Sequence, residues 1–371
     1  MEGEDEKQNR FKEAFERGRE GDISDYKTWL QDHNFHPNRL NEEYVRQHFH
    51  EHPEAAPNHD EELEEIAEFL GFFSERQESY HIPIVGVTGI GKTQLLYTIS
   101  NLLDQLDLTI SQKLYNAESF TEEEDDGESR FYKIIDELQD VDTAVILLDD
   151  CQRDKRIEHS LEKLHDTAED TFIITSWTPE RWNMDKDRIN DSVGVAKEIE
   201  LTPLSEDNTV TALQNTVNAY TENKVELPEK FNKRIHEVSS GIPGLFHTLL
   251  RESIQETFRQ KSELGTVETV NEASEKLGLK DAEERVNEIS EQKLTILKHI
   301  LLSWHPQGRR PTELVELLDR DKSTVSYHLQ NLIQENILTK EKSGRSTFYK
   351  VKDPVKPILQ LRIAREGEFH A

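Results

Sequence analysis

Eight consecutive residues, Gly86-Val87-Thr88-Gly89-Ile90-Gly91-Lys92-Thr93, fill every fixed position of the pattern GxxxxGK[ST]. Each fixed type has a chemical duty there. Glycines let backbone N–H groups close around phosphate oxygens, the lysine ammonium bridges the outer phosphates, and the threonine hydroxyl ligates Mg²⁺. Gly86, Thr88, Gly89, Ile90, Gly91, Lys92, Thr93 and Gln94 are therefore the expected contacts of a nucleoside triphosphate, with Thr93 also a metal ligand. The flanks agree. Ile82-Pro83-Ile84-Val85 is an apolar run ending at the first glycine, as a buried strand does, and Leu95, Leu96, Ile99, Leu102 and Leu103 follow at helical spacing. A helix opening at the loop presents its N-terminus to an anion. The segment predicts a site for ATP with Mg²⁺.

A second run, Ala144-Val145-Ile146-Leu147-Leu148, closes on Asp149 and Asp150. A strand buried in a parallel sheet would deliver its terminal carboxylate to the sheet edge where the metal sits. Asp149 is the expected metal ligand through its water shell, and Asp150 the group that orients or deprotonates an attacking water. The next strand, Thr171-Phe172-Ile173-Ile174-Thr175, precedes Ser176. Either Thr175 or Ser176 is positioned to reach the terminal phosphate or the water; the plainer alternative is an ordinary strand end.

These residues need a sheet to hold them, and the chain has one in prospect. Lys197 to Leu204 reads as a fifth strand with a turn, and Ser205 to about Leu279 is helical, interrupted at Ser239-Ser240-Gly241-Ile242-Pro243-Gly244. Length allows two or three domains. A single cysteine, Cys151, excludes a disulfide framework and fits a reducing, cytoplasmic setting. There is no apolar stretch of membrane-spanning length, and the first residues are acidic, unlike a signal peptide. His48, His50 and His52 could ligate zinc, but no second cluster joins them, and a solvated polar segment is the simpler reading. The acidic loop 122–127 lacks the ordered spacing of a calcium loop and reads as a solvated charge run.

Charge is uneven. The net charge is −30, yet from Ser290 to Ala371 there are 14 Lys and Arg against 10 Asp and Glu. The preceding residues carry 31 against 65. A mildly basic module on an acidic body is the asymmetry expected when one end touches DNA.

That end, 290–352, reads as a winged helix-turn-helix. Leu294, Ile296, Leu297, Ile300 and Leu301 mark a first helix, and Pro311-Thr312 starts a second. Asp319 to Lys322 is the turn, with Ser323 the N-cap of a third helix that buries Val325, Leu329, Leu332 and Ile333. Ile337 to Lys340 and Ser346 to Val351 form a hairpin about Lys342-Ser343-Gly344-Arg345. Ser323-Thr324-Val325-Ser326-Tyr327-His328-Leu329 resembles the recognition helix of ArsR/MarR-type regulators. Thr324, Ser326, Tyr327 and Gln330 would face the major groove, Arg345 the minor groove or a phosphate, and Lys322, Lys340, Lys342 and Lys350 the backbone.

From 57 to about 280 the motifs together resemble the AAA+/STAND class of P-loop ATPases. The phosphate loop, Leu147-Leu148-Asp149-Asp150, Thr175-Ser176, Glu198-Ile199-Glu200-Leu201-Thr202-Pro203-Leu204-Ser205 and Gly241-Ile242-Pro243 occur in family order. The resemblance implies a doubly covered parallel sheet over 57–204 and a helical lid over 205–289, with Gly241 and Pro243 contacting the nucleotide. It is also similar in order to archaeal origin-recognition initiator ATPases, with a tail after 352 and a helical or linker segment over 1–56. Two departures imply slow hydrolysis: Asp150 stands where AAA+ members usually carry Glu, and no arginine follows Thr175-Ser176 or Pro243 directly. Arg181 and Arg188, just before the fifth strand, are positioned to serve as an arginine finger supplied to a neighbouring copy, and Arg188 is the candidate, against the plainer reading of a surface arginine. The implied function is an ATP-dependent switch that binds double-stranded DNA in replication initiation or transcriptional control, with self-association through the ATPase domain. The alternative is a nucleotide-gated scaffold whose winged helix only packs on the ATPase.

Overall fold

The computed structural model describes residues 25–55, 59–76, 78–106, 111–121, 130–139, 141–305 and 307–366. The acidic run 122–127 and the acidic first residues lie outside them. In chain order come α1 (Glu42–Glu51), α2 (Asp60–Arg76), β1 (Tyr80–Val85), α3 (Lys92–Gln105), β2 (Ser111–Asn116), α4 (Arg130–Leu138) and β3 (Thr143–Asp149). Next are α5 (Ile157–His165), β4 (Asp170–Trp177), α6 (Pro179–Val193) and β5 (Ile199–Glu200). Five helices follow: α7 (Glu206–Thr221), α8 (Glu229–Ser239), α9 (Pro243–Gln260), α10 (Val267–Leu277) and α11 (Ala282–Asn287). The C-terminal part has α12 (Glu291–Leu301), α13 (Pro311–Leu318), α14 (Lys322–Gln334), the antiparallel hairpin β6 (Leu338–Ser343) and β7 (Ser346–Val351), and α15 (Lys356–Glu366).

The five-stranded sheet is parallel throughout, in the order β2-β3-β4-β1-β5. Parallel strands need helices on both faces, so their sequences are apolar on both parities. Odd and even residues therefore serve different cores. Ile82, Ile84, Val145, Leu147, Phe172 and Ile174 pack with α3 and the helices after β5. Ala144, Ile146, Leu148, Ile173 and Trp177 pack with α4, α5 and α6. This parity decides which strand-end side chains meet the phosphate loop.

The expected fifth strand is shorter than its apolar pattern. After Glu200 only Leu201 still donates to the sheet, to the Val85 carbonyl at 2.8 Å. Pro203 has no N–H to offer, and the Leu204 amide turns to the Gly241 carbonyl at 3.0 Å. Strand pairing is thereby exchanged for a tie between the sheet and the helices that follow.

Residues 42–51 and 356–366 are more structured than their composition indicates. Residue 49 of α1 accepts through its carbonyl from the Gln94 amide (2.7 Å), and His50 from Asn101 (2.9 Å), so α1 docks on α3. The expected C-terminal tail is a helix, α15, with Pro357, Ile358, Leu359, Gln360 and Ile363 buried. Its Pro-Ile-Leu-Gln-Leu-Arg-Ile run has helical periodicity, and α15 packs against α6 and α11. The N-cap of α14 is Asp321, whose carboxylate accepts from the Thr324 amide at 2.9 Å, so Ser323 is already helical. Among the described residues no helix is long and apolar enough to cross a membrane, and no three His, Cys, Asp or Glu side chains gather as a metal set.

Candidate functional site

At the carboxyl edge of the sheet, β1 runs into the glycine loop and α3 begins at Lys92. The cap residue Gly91 has φ +118°, a left-handed conformation that lets the loop turn its amides inward. The buried Lys92 ammonium donates to the Gly86 and Val87 carbonyls at 2.7 and 3.0 Å. Burial pulls its pKa down to about 8, opposed by the carboxylates of Asp149, Asp150 and Glu180. A desolvated cation held on backbone carbonyls is poorly compensated, and phosphate oxygens would satisfy it better. The donor set therefore fits a polyphosphate.

The expected metal-ligand pair, Thr93 and Asp149, is also brought together. The Thr93 hydroxyl donates to Asp149 Oδ2 at 2.7 Å. Asp149 Oδ1 accepts from the Ser176 hydroxyl (2.5 Å) and the Asp150 amide (3.0 Å). A hydroxyl and a carboxylate this close suit the coordination and water shell of Mg²⁺, with Ser176 orienting the carboxylate. Asp150 is less free: it has φ +55°, and its carboxylate takes the Gln152 amide at 2.7 Å and lies 3.5 Å from Arg153.

Parity separates Thr175 from Ser176. Ser176 points with Ile174 toward α3 and Asp149. Thr175 points to the other face, where its oxygen accepts from the Trp177 indole N–H at 2.7 Å and meets His81 Nε2 at 2.9 Å. Both side chains are fully buried, but only Ser176 bonds Asp149, so the expectation that Thr175 senses phosphate is corrected. Arg188 does not line the cavity beside the loop. Its guanidinium pairs with Asp185 and with Glu158 on the outer side of α6, away from the loop. Arg181, one to two turns earlier, lines the cavity; its Nε lies 2.6 Å from Asp185, and its guanidinium stacks on Trp304, 3.6 Å from the ring centroid. Gly241 packs on the Leu204 backbone, while Pro243 reaches the cavity wall.

The cavity beside the loop has a volume of about 870 Å³, room for a nucleotide. Its floor is the loop from Thr88 to Gln94. Val45 and Phe49 of α1 and Pro243 of α9 give this side an apolar strip, beside Glu42, Arg46 and His59, and His59 Nε2 lies 3.3 Å from the Ile90 carbonyl. The Gly244 amide donates to the Gly89 carbonyl at 2.8 Å, seating α9 directly on the loop. His247 and Arg251 follow Pro243 at i+4 and i+8 and line the same wall. The opposite side comes from α6 (Glu180, Arg181) and from the C-terminal part (Trp304, Lys350, Lys356).

Residues 78–209 match the family model described as AAA domain. Over that stretch the chain is similar to AAA domains. Its fold is like that of the Aeropyrum pernix ORC1 protein, solved in complex with DNA: 16% identity, a TM-score of 0.52, and coverage of 88% of this chain and 97% of that one. The Thermotoga maritima RuvB Holliday junction branch migration motor is a lower-scoring likeness, at 17% identity and a TM-score of 0.46, covering 80% and 92%. Among curated proteins, an uncharacterized HTH-type transcriptional regulator of Methanocaldococcus jannaschii is 23% identical over 169 residues. That match takes in 44% of this chain and 41% of the relative, so the chain spans less than half of the relative's length.

Several residues of the cavity wall escape sequence reasoning. Val45, Phe49 and His59 are ordinary residues before the domain, with no spacing that marks them. Arg251 had a signal, since i+8 from Pro243 returns to the same helix face. Two buried histidines give a stability test. Burial holds His81 at about 4 and His247 at about 3, below the unfolded value of about 6.5. The folded state then binds fewer protons, so stability present above pH 6.5 is lost as pH falls toward 4. Each histidine is expected to take away about 2 kcal/mol between pH 7 and 5. Urea midpoints should drop accordingly, and His247→Leu should flatten the drop; a midpoint independent of pH would contradict it.

The C-terminal part presents a second surface. Lys322, Ser323, Tyr327, Gln330 and Arg345 are exposed, Tyr327 by 62%, while Thr324 and Ser326 are half-buried. Val325, Leu329 and Leu332 are buried on the opposite face of α14. The Ser323 and Thr324 hydroxyls both donate to Asp321. Those bonds hold the Asp321 carboxyl far below the usual carboxylate range. Ser323 and Thr324 are thus tied into the cap. Tyr327, Gln330, Lys322 and Arg345 are the side chains most available to a partner.

Proposed function

We propose that this protein is an ATP-dependent switch that hydrolyses slowly and binds double-stranded DNA through a winged helix-turn-helix over 290–352. The observation that carries this reading is the placement of the C-terminal part. One side of it walls the phosphate-loop cavity, while the polar face of α14 and the Arg345 hairpin tip stay open to solvent. A ligand in the cavity would therefore bear directly on the unit that presents the reading face. Lys92 would hold the outer phosphates, Thr93 and Asp149 the Mg²⁺ and its waters, and Pro243 with α1 the base. Asp150 would orient the attacking water. The DNA in the Aeropyrum ORC1 complex and the HTH designation of the Methanocaldococcus relative support a role on DNA. Replication initiation and transcriptional control both fit, as does self-association through the ATPase domain.

The test is fluorescence anisotropy of a labelled duplex with ATP, ADP or no nucleotide. Affinity should differ by nucleotide state in the wild type, and Lys92→Ala should erase the difference. Arg345→Ala should weaken binding by about three- to tenfold and lower the salt slope by about one. ATP binding without DNA binding at any salt would replace this reading with the scaffold. The contact of Trp304 and α15 with the ATPase is the observation that favours that second reading.

A further inference from the structure

The C-terminal helix reaches into the phosphate loop. Gln360 is fully buried, and both ends of its amide are occupied. Its Oε1 accepts from the Thr88 backbone N–H at 2.8 Å, and its Nε2 donates to Glu180 Oε1 at 2.7 Å. The Thr88 amide belongs to the peptide whose carbonyl, Val87, takes the Lys92 ammonium. Thr88, Lys92 and Glu180 line one cavity and the Glu180 charge acts on the Lys92 ammonium, so through Thr88 and Glu180 Gln360 holds two groups at the outer end of the phosphate site. Glu180 is buried there as well, and its Oε2 has no hydrogen-bond partner among the described residues. Lys356, one turn before Gln360, lines the same cavity.

We propose that Gln360 is the contact by which the chain tells a nucleoside triphosphate from a diphosphate: the Thr88 amide exchanges Gln360 for an outer phosphate oxygen, and α15 is released. This rests on the ATP reading of the cavity. The exchange leaves Gln360 Oε1 buried without a donor, a cost relieved only if α15 withdraws. An extra phosphate also brings negative charge toward Glu180, whose carboxylate regains water once Gln360 has left. A diphosphate lacks the group that competes for this end of the loop. Only four residues, 352–355, separate β7 from α15, so withdrawal carries the hairpin with it. The stacking of Arg181 on Trp304 is then a remaining tie between the two parts.

The experiment uses the full chain with Mg²⁺ and either ADP or a non-hydrolysable ATP analogue. Hydrogen exchange of peptides covering 356–366 should rise with the triphosphate and stay at the nucleotide-free level with ADP. Fluorescent-nucleotide titrations should show Gln360→Ala and the volume-conserving Gln360→Met tightening triphosphate binding by about five- to tenfold, with diphosphate binding changed less than about twofold. Thermal melts verify that both variants fold, and the wild-type exchange data stand if they do not. Equal exchange of α15 with both nucleotides, or equal shifts of both affinities, would overturn the proposal while leaving the ATP reading intact. If neither nucleotide binds the wild type, the ATP reading falls and this inference with it.

Discussion

Lys92→Ala is expected to weaken ATP binding by at least about 100-fold, roughly 2.7 kcal/mol, the loss of charge-assisted contacts to phosphate. The nucleotide-free fold should survive. In that state the ammonium contacts the Gly86 and Val87 carbonyls, and burial already disfavours its charge. The variant removes a desolvated cation but frees two carbonyls, effects of opposite sign. Isothermal titration with Mg-ATP, alongside a thermal melt, separates binding from folding. Unchanged affinity in a folded variant would mean that the cavity does not take phosphate through this loop. Lys92→Met, which keeps most of the volume, should behave like the alanine variant, because charge and not packing is the operative property.

The second large effect is on stability. Gly241 has φ +70°, and a Cβ there would sit 2.2 Å from the Leu204 carbonyl oxygen. That carbonyl belongs to the segment that ties β5 to the helices after it, and backbone on both sides leaves no side chain to move. Gly241→Ala should therefore lower unfolding free energy by about 3 kcal/mol, through left-handed strain and overpacking together. ATP affinity should fall with it, because Pro243 and the Gly244–Gly89 hydrogen bond lie just beyond. A denaturant midpoint equal to that of the wild type would refute the packing argument. A lowered midpoint with normal ATP affinity would show that α9 keeps its seat on the loop despite the strain.

Much of the site was readable before the fold because its residue types are chemically forced. Only glycines, a lysine and a hydroxyl can build the loop, and an apolar run ending in Asp149 reads as a strand delivering a carboxylate. The choice between Thr175 and Ser176 was legible in principle. Counting by twos from Phe172 and Ile174 puts Ser176, not Thr175, on the α3 face. Arg181 and Arg188 could not be told apart because proximity along the chain carries no direction: on α6 Arg188 pairs with Glu158 and Asp185, while Arg181 lines the cavity. The α1 side of the cavity was illegible for another reason. Val45 and Phe49 fill space, and space-filling residues carry no signature of what they surround. Asp321 displaced Ser323 as the cap because a carboxylate can accept from the Thr324 amide and from both the Ser323 and Thr324 hydroxyls, which a serine cannot match.

The separation of 272 residues between Thr88 and Gln360 also sets an order of events during synthesis. The sheet and its loop can form from early, closely spaced segments, whereas their last contact must wait for a helix at the far end of the chain. Contacts of such long range are the slowest to close. A nascent chain would therefore display an open phosphate loop for as long as the ribosome takes to translate from β5 to α15. Nucleotide present in that interval meets the loop before Gln360 does.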